Sequence, residues 1–93
     1  MDAWLDCLAS SGQFTGEYAV KVCAQDGHWV SLFAPAEAVE LLGEISHNQS
    51  VAARLGVQVI DQRGGLVLVR LPQRTMENGQ HLTVSAEAIH QEA

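Results

Sequence analysis

The chain is short, rich in apolar residues and acidic. It has 93 residues, 47% of them hydrophobic, and a formal net charge of −6 at pH 7. This length is typical of one domain and the apolar fraction suffices for a buried core, so we expect a single domain over residues 1–93. The negative charge disfavours nucleic acid as a partner, because Lys and Arg supply most of the non-specific affinity for phosphate backbones.

The negative charge is concentrated in the first half of the sequence. Within residues 1–45, Lys21 is the only basic residue against seven carboxylates, whereas the second half pairs four arginines with four carboxylates. This distribution indicates an acidic surface on the first half and a nearly neutral second half.

The sequence contains no pattern typical of a membrane span or an export signal. No run approaches the roughly 18 apolar residues that cross a bilayer, and the residues from Met1 to Asp6 are acidic where a secretory signal would be basic. We therefore expect a cytoplasmic protein with no membrane partner. In that compartment Cys7 and Cys23 are expected to be reduced thiols rather than a disulfide.

The first element is predicted to be a short helix. Trp4, Leu5 and Leu8 recur at helical spacing, Asp2 is a suitable N-cap, and the segment from Ser10 to Gly12 ends the pattern.

Two β-hairpins are predicted next. The first pairs Glu17–Ala24 with His28–Phe33 around Asp26-Gly27, and the second pairs Val57–Asp61 with Leu66–Leu71 around Arg63-Gly64-Gly65. If the first turn holds two residues, Val20 lies opposite Phe33. That register places Trp29 and Phe33 on the core side.

The two hairpins carry related residues at a spacing of 37. Val20, Val22, Gln25, Gly27, Val30 and Pro35 recur as Val57, Val59, Gln62, Gly64, Val67 and Pro72. We interpret the recurrence as the general preference of hairpins for these residue types rather than as a duplication, because repeat arrays usually need three or more copies.

Helices and one more strand complete the predicted fold. A helix is expected to begin at Pro35 and continue to Ile45, and a shorter one to run over Ser50–Leu55. After a third strand, His81–Val84, Ser85 is expected to cap a final helical turn through Ala88 and Ile89. The sequence thus predicts an α+β fold, in which an antiparallel sheet of about five strands is covered by two or three short helices.

The sequence offers little catalytic chemistry. Cys23 and His28 are the nearest approach to a nucleophile or metal ligand pair, but no C-x-x-C or H-E-x-x-H spacing and no nucleophile elbow accompanies them. No cofactor and no catalytic residue are predicted.

Arginines in the second half form the candidate binding site. Arg63 in a turn, Arg70 at a strand end, Arg74 in the following loop and His81 on the third strand are predicted to share one edge of the sheet. Such a group could meet an anion, an acidic protein or single-stranded nucleic acid.

Three functional hypotheses follow. The first is a small acidic protein-interaction module, an accessory or adaptor protein without catalytic activity, which forms a homodimer through a sheet edge or an apolar patch. The second is a module that binds nucleic acid or a small anion at the arginine edge. The third is a small enzyme or metal protein that uses Cys23 and His28.

Overall fold

The fold consists almost entirely of β-strands. The computed structural model describes residues 3–46, 49–77 and 79–91, and these residues contain no α-helix. The described strands are β1 (Ala3–Ser11), β2 (Glu17–Cys23), β3 (Trp29–Pro35), β4 (Val39–Leu41), β5 (Val51–Arg63), β6 (Leu66–Arg70), β7 (His81–Ser85) and β8 (Ile89–Gln91). Two 3₁₀ turns of three residues, Ala36–Ala38 and Ala86–Ala88, precede β4 and β8. The predicted α+β class is therefore wrong.

The strands form one curled antiparallel sheet. Its order is β3-β2-β1-β5-β6-β7, with β4 added to β5 and β8 added to β1. The sheet buries one face, and the fully buried large side chains come from both ends of this order: Leu5, Leu32, Leu55, Leu71, Val20, Val22, Val57, Val67, Val69 and Val84.

The predicted first helix is the strand β1. Its alternate residues are buried, and they are Ala3, Leu5, Cys7 and Ala9. Period-two burial defines a strand, but the outward positions include Trp4 and Leu8, which hide the alternation and imitate a helical spacing. Asp2, the predicted cap, lies outside the described residues.

The other two predicted helices are also replaced by strands. The segment after Pro35 makes a single 3₁₀ turn and then pairs as β4 with β5. Ser50–Leu55 forms part of the long strand β5, in which Gly56 continues the strand opposite Trp4 rather than ending a helix. Strand pairing has here overridden helix propensity, which is a weak preference. The expected cap at Ser85 is confirmed: its Oγ accepts a hydrogen bond from the Glu87 N–H at 3.3 Å.

Both predicted hairpins are present, one of them in a different register. β5 and β6 pair around Gly64-Gly65, as expected. In the first hairpin Val20 lies opposite Leu32 instead of Phe33, because the connection holds one residue more than a two-residue turn pairing would allow, with the Ala24 N–H donating to the His28 carbonyl. The shift turns Leu32 to the core and leaves Trp29 exposed.

An approximate two-fold axis relates residues 3–41, called here the N-half, to residues 51–91, the C-half. Under a shift of 50 residues Leu5 exchanges with Leu55, its partner across β1 and β5. Neighbouring register pairs obey the same rule: Ala3–Val57 with Cys7–Ala53, Val39–Leu55 with Ile89–Leu5, and Glu40–Arg54 with His90–Trp4. The hairpin recurrence at spacing 37 relates β2–β3 to β5–β6, which do not correspond under this axis.

Candidate functional site

The structure brings together two of the four predicted binding residues. Arg70 on β6 and His81 on β7 are register partners, and Gln58 on β5 is the partner of Arg70 on its other side. The three therefore form a polar row across the outer face of the C-half.

Arg63 and Arg74 do not join this row. Arg63 lies at the opposite end of the β5–β6 hairpin, opposite Leu66, which is roughly 13 Å from Arg70 at about 3.3 Å per strand residue. Its Nε is 3.2 Å from Asp61 Oδ2, so its charge already has a partner. Arg74 is exposed in the loop after β6. The predicted arginine edge is thus reduced to Arg70 and His81.

A shallow cavity of about 310 Å³ adjoins Arg70. Gly56 and Gln58 of β5 form one wall, and the segment after β6 forms the other with Pro72 and Gln80. The Gln80 side chain is fixed there because its Nε2 donates to the Leu71 carbonyl at 2.8 Å. The cavity offers one guanidinium and amide groups to a ligand.

The third hypothesis finds no assembled site. Cys23 ends β2 and its Sγ lies 3.4 Å from the neighbouring Ala24 carbonyl, whereas His28 is exposed and its Nδ1 lies 3.7 Å from Asp26. Among residues 3–46, 49–77 and 79–91, no three His, Cys, Asp or Glu side chains are placed to hold a metal ion.

The second cysteine is chemically quiet. Cys7 is buried in β1, and burial, with a smaller contribution from the adjacent Asp6 carboxylate, raises the pKa of its thiol to about 12. A thiol that keeps its proton at neutral pH is neither a nucleophile nor a metal ligand. Both cysteines are free thiols, as the sequence predicts.

A charged cluster crosses the four strands at the two-fold axis. His90 Nε2 lies 2.8 Å from Asp6 Oδ1, and Arg54 stands between Asp6 and Glu40, with nitrogen–oxygen distances of 4.0 and 3.9 Å. The side chains come from β8, β1, β5 and β4, so the cluster joins the N-half to the C-half. All four are partly exposed to solvent, and none lines a cavity given above.

The most prominent apolar feature is a groove on the outer face of the N-half. It has a volume of about 180 Å³, and Leu8, Ala19 and Phe33 from three adjacent strands lie along it. Met76 forms its rim from the loop after β6. We call this feature the apolar groove. Leu8 is 37% exposed and Met76 63% exposed, which is unusual for side chains of this size.

The rim of the apolar groove is held by backbone hydrogen bonds between the two halves. The Met76 N–H donates to the Ser31 carbonyl at 2.6 Å, and the Ser31 N–H donates to Glu77 Oε1 at 2.8 Å. Ser31 belongs to β3, one end strand of the sheet. The loop therefore occupies part of the edge that a sheet-edge dimer would need.

The other end strand is contacted in the same way. The Gln25 N–H, in the loop between β2 and β3, donates to the Thr83 carbonyl of β7 at 2.9 Å. Each half thus sends a loop to the outer edge of the other half. Such coverage protects a sheet edge from pairing with another chain.

Sequence reasoning missed the apolar groove because the groove combines distant segments. Phe33 was assigned to the core, Leu8 to a helix, and Met76 to an unremarkable loop. Register alone could have shown that Ala19 and Phe33 are partners on β2 and β3, but nothing in the pattern indicated that residues 72–77 cross to β3.

No described helix is long and apolar enough to span a membrane. Comparison of the chain with protein-family models, with curated proteins and with solved structures found no match.

Proposed function

We propose that this chain is a protein-interaction module that binds a basic partner segment in the apolar groove. The observation that carries the proposal is the open groove itself, in which Phe33 and Ala19 form an apolar floor and Leu8 and Met76 remain exposed. Exposed apolar concavities with polar surroundings are typical of sites where one protein receives a side chain of another.

The side chains of the apolar groove suit an adaptable contact. Met76 is flexible and polarisable, and methionines of this kind accommodate partner side chains of different shapes. Phe33 offers a rigid aromatic surface with little conformational entropy to lose. A leucine, methionine or aromatic anchor on the partner matches this lining.

The charge around the apolar groove favours a basic partner. Glu17 and Glu77 stand beside the groove against the single Lys21, and the whole chain has a formal charge of −6. Complementary charge raises association rates and disfavours acidic partners. The site is proposed to function without catalysis or a cofactor, in the cytoplasm.

A displayed library of random peptides tests the proposal without knowledge of the natural partner. Peptides enriched on the wild-type protein are expected to carry an apolar anchor flanked by Lys or Arg. Titration should show their binding weakened at least tenfold by Leu8→Glu or Met76→Glu, which corresponds to about 1.4 kcal/mol.

Leu66→Glu is the matched control. Leu66 is 41% exposed, close to the value for Leu8, but lies on the outer face of the C-half. Binding should be retained in this variant. Peptides that bind all three variants alike, or that are acidic, would rule out the apolar groove as the site.

A second candidate function, binding of a phosphate-bearing ligand, rests on the cavity beside Arg70. Arg70 and the neighbouring His81 offer donors to phosphate oxygens, which arginine binds in a bidentate manner. Titration with inorganic phosphate and with a short single-stranded oligonucleotide tests it. Binding should weaken with salt and in Arg70→Gln but persist in Arg63→Gln, whereas equal loss in both variants would indicate non-specific charge attraction.

A further inference from the structure

The two halves of this fold are built as two copies that exchange a strand. β4 of the N-half pairs with β5 of the C-half, and β8 of the C-half pairs with β1 of the N-half. Both pairings follow the same register under the shift of 50 residues. This arrangement is that of a two-fold dimer with exchanged strands, although here both halves belong to one chain.

The equivalence extends beyond the exchanged strands. The first residue of each 3₁₀ turn makes the same hydrogen bond, with the Ala36 N–H donating to Gly16 and the Ala86 N–H donating to Gly65, both at 2.8 Å. Lys21 and Arg70 occupy corresponding places on β2 and β6, opposite Leu8 and Gln58. The halves therefore share a backbone plan from their first strand to their last.

The contacts between the halves need no particular covalent connection. They comprise the β1–β5 pair with Leu5 and Leu55 at its centre, the two exchanged strands and the charged cluster of Asp6, Arg54, Glu40 and His90. A C-half from a second chain presents the same groups in the same order. Two chains can accordingly satisfy every one of these contacts by exchanging halves.

The covalent connection between the halves is suited to such an exchange. The last ladder bond of β4 runs from the Leu42 N–H to the Ala52 carbonyl at 3.0 Å, and residues 43–50 connect the two strands beyond it. The described residues of this connection are exposed, apart from the half-buried Ile45. Opening it sacrifices little buried surface, and exchange of identical elements is a low-cost route to dimers.

We propose that a second copy of this chain is a partner of the protein, and that two copies exchange their C-halves to form a two-fold dimer. In this dimer β4 of each copy lies on β5 of the other. The dimer uses neither the free edge of β3 nor that of β7, and it leaves both apolar grooves open.

Deletion of residues 43–50 is the first test. The deletion leaves Val51 alone between Leu42 and Ala52, and one residue cannot reverse an antiparallel pair, which requires at least two. β4 can then reach a β5 strand only on another chain. Light scattering after gel filtration is expected to give twice the mass of one chain, with a far-ultraviolet spectrum like that of the wild type; a folded monomer would overturn the proposal.

Mixed cysteine variants provide a second test on the full-length chain. Glu40→Cys and Arg54→Cys proteins are unfolded, mixed, refolded together at high concentration and oxidised. Register partners on antiparallel strands lie within disulfide range. In exchanged dimers, mass spectrometry should identify a disulfide that joins position 40 of one copy to position 54 of the other.

The control mixture combines Glu37→Cys with Arg54→Cys. Glu37 lies in the 3₁₀ turn, outside the β4–β5 register, so this mixture should give several-fold less of the cross-linked species. Equal yields from both mixtures, or no cross-link at positions 40 and 54, would overturn the proposal. If the deletion variant fails to fold, the cysteine mixtures decide the question.

Discussion

Leu5 and Leu55 lie opposite each other at the centre of the β1–β5 pair, and both are fully buried. Because the approximate two-fold axis passes between them, each leucine has nearly the same surroundings as the other. Leu5 also pairs with Ile89 of β8, and Leu55 pairs with Val39 of β4. The two side chains therefore connect all four strands that hold the halves together.

Removal of either leucine side chain should destabilise the protein by a similar amount. We expect Leu5→Ala and Leu55→Ala each to lower the free energy of unfolding by about 2–5 kcal/mol, since truncation of a buried leucine costs transfer energy and leaves a cavity. Leu8→Ala, at an exposed position of the same strand, should cost about 0.5 kcal/mol or less. Urea denaturation measures all three. Markedly different losses for positions 5 and 55 would show that the two-fold relationship does not extend to side-chain packing.

The hairpins could be predicted from sequence because their signals are local. Gly64-Gly65 supplies the backbone freedom of a two-residue turn, and alternating Val67 and Val69 mark the buried face of β6. The proximity of Arg70 and His81 follows from such local pairing. One extra residue in the connection after Cys23 was enough to reverse the faces assigned to Trp29 and Phe33, because a register shift of one residue exchanges the two faces of a strand.

The strands β1 and β4 could not be predicted from their own residues. Ala36–Leu41 carries alanine and glutamate at helical spacing, yet its carboxyl-terminal part pairs as β4 with a strand that begins ten residues further on. β1 likewise pairs with β5 and β8, which lie about 50 and 86 residues away in sequence. The apolar groove depends on the same kind of distant contact, since its rim comes from the C-half and its floor from the N-half.

The buried thiol of Cys7 should make stability depend on alkaline pH. Its pKa rises to about 12 in the folded state from 9.0, so between these values the unfolded chain releases a proton that the folded protein retains. The free energy of unfolding should therefore fall as pH rises above about 9, by at most about 1.4 kcal/mol per pH unit. Urea denaturation at pH 8 and pH 10 should show a smaller loss in Cys7→Ala than in the wild type. An identical pH dependence in both proteins would contradict the assignment to Cys7.

Burial should also separate the two cysteines by reactivity. Iodoacetamide at pH 8 is expected to alkylate the half-buried Cys23 at least tenfold faster than Cys7, because the thiolate is the reactive form and access is required. Peptide mass spectrometry over time measures both rates. Equal rates in the folded protein, with both cysteines fully reactive in denaturant as the reference, would show that β1 opens readily.

The charged cluster at the axis should contribute modestly and in a salt-dependent manner. Asp6→Ala removes the partner of both His90 and Arg54, and we expect a loss of about 0.5–1 kcal/mol at low ionic strength, because partly exposed ion pairs are weak. The loss should diminish in 1 M salt, where the Debye length is about 3 Å. Glu37→Ala, an exposed acidic position in the 3₁₀ turn, controls for the change in net charge. A loss that is unchanged by salt would indicate that Asp6 acts through packing instead.

The turn between β5 and β6 should tolerate asparagine better than valine at Gly64. Gly64 has a φ of +60°, a left-handed conformation that costs most residues with a Cβ roughly 1–2 kcal/mol but that asparagine adopts comparatively easily. No other atom lies within 4 Å of the place where a Cβ would be, so the cost arises from the backbone and not from a clash. Urea denaturation should show Gly64→Val losing about 1–2 kcal/mol and Gly64→Asn losing less than half as much. If the two variants were equally stable, the left-handed backbone at this turn would not be what selects glycine, and the register of the β5–β6 pair would have to be maintained by Val67 and Val69 alone.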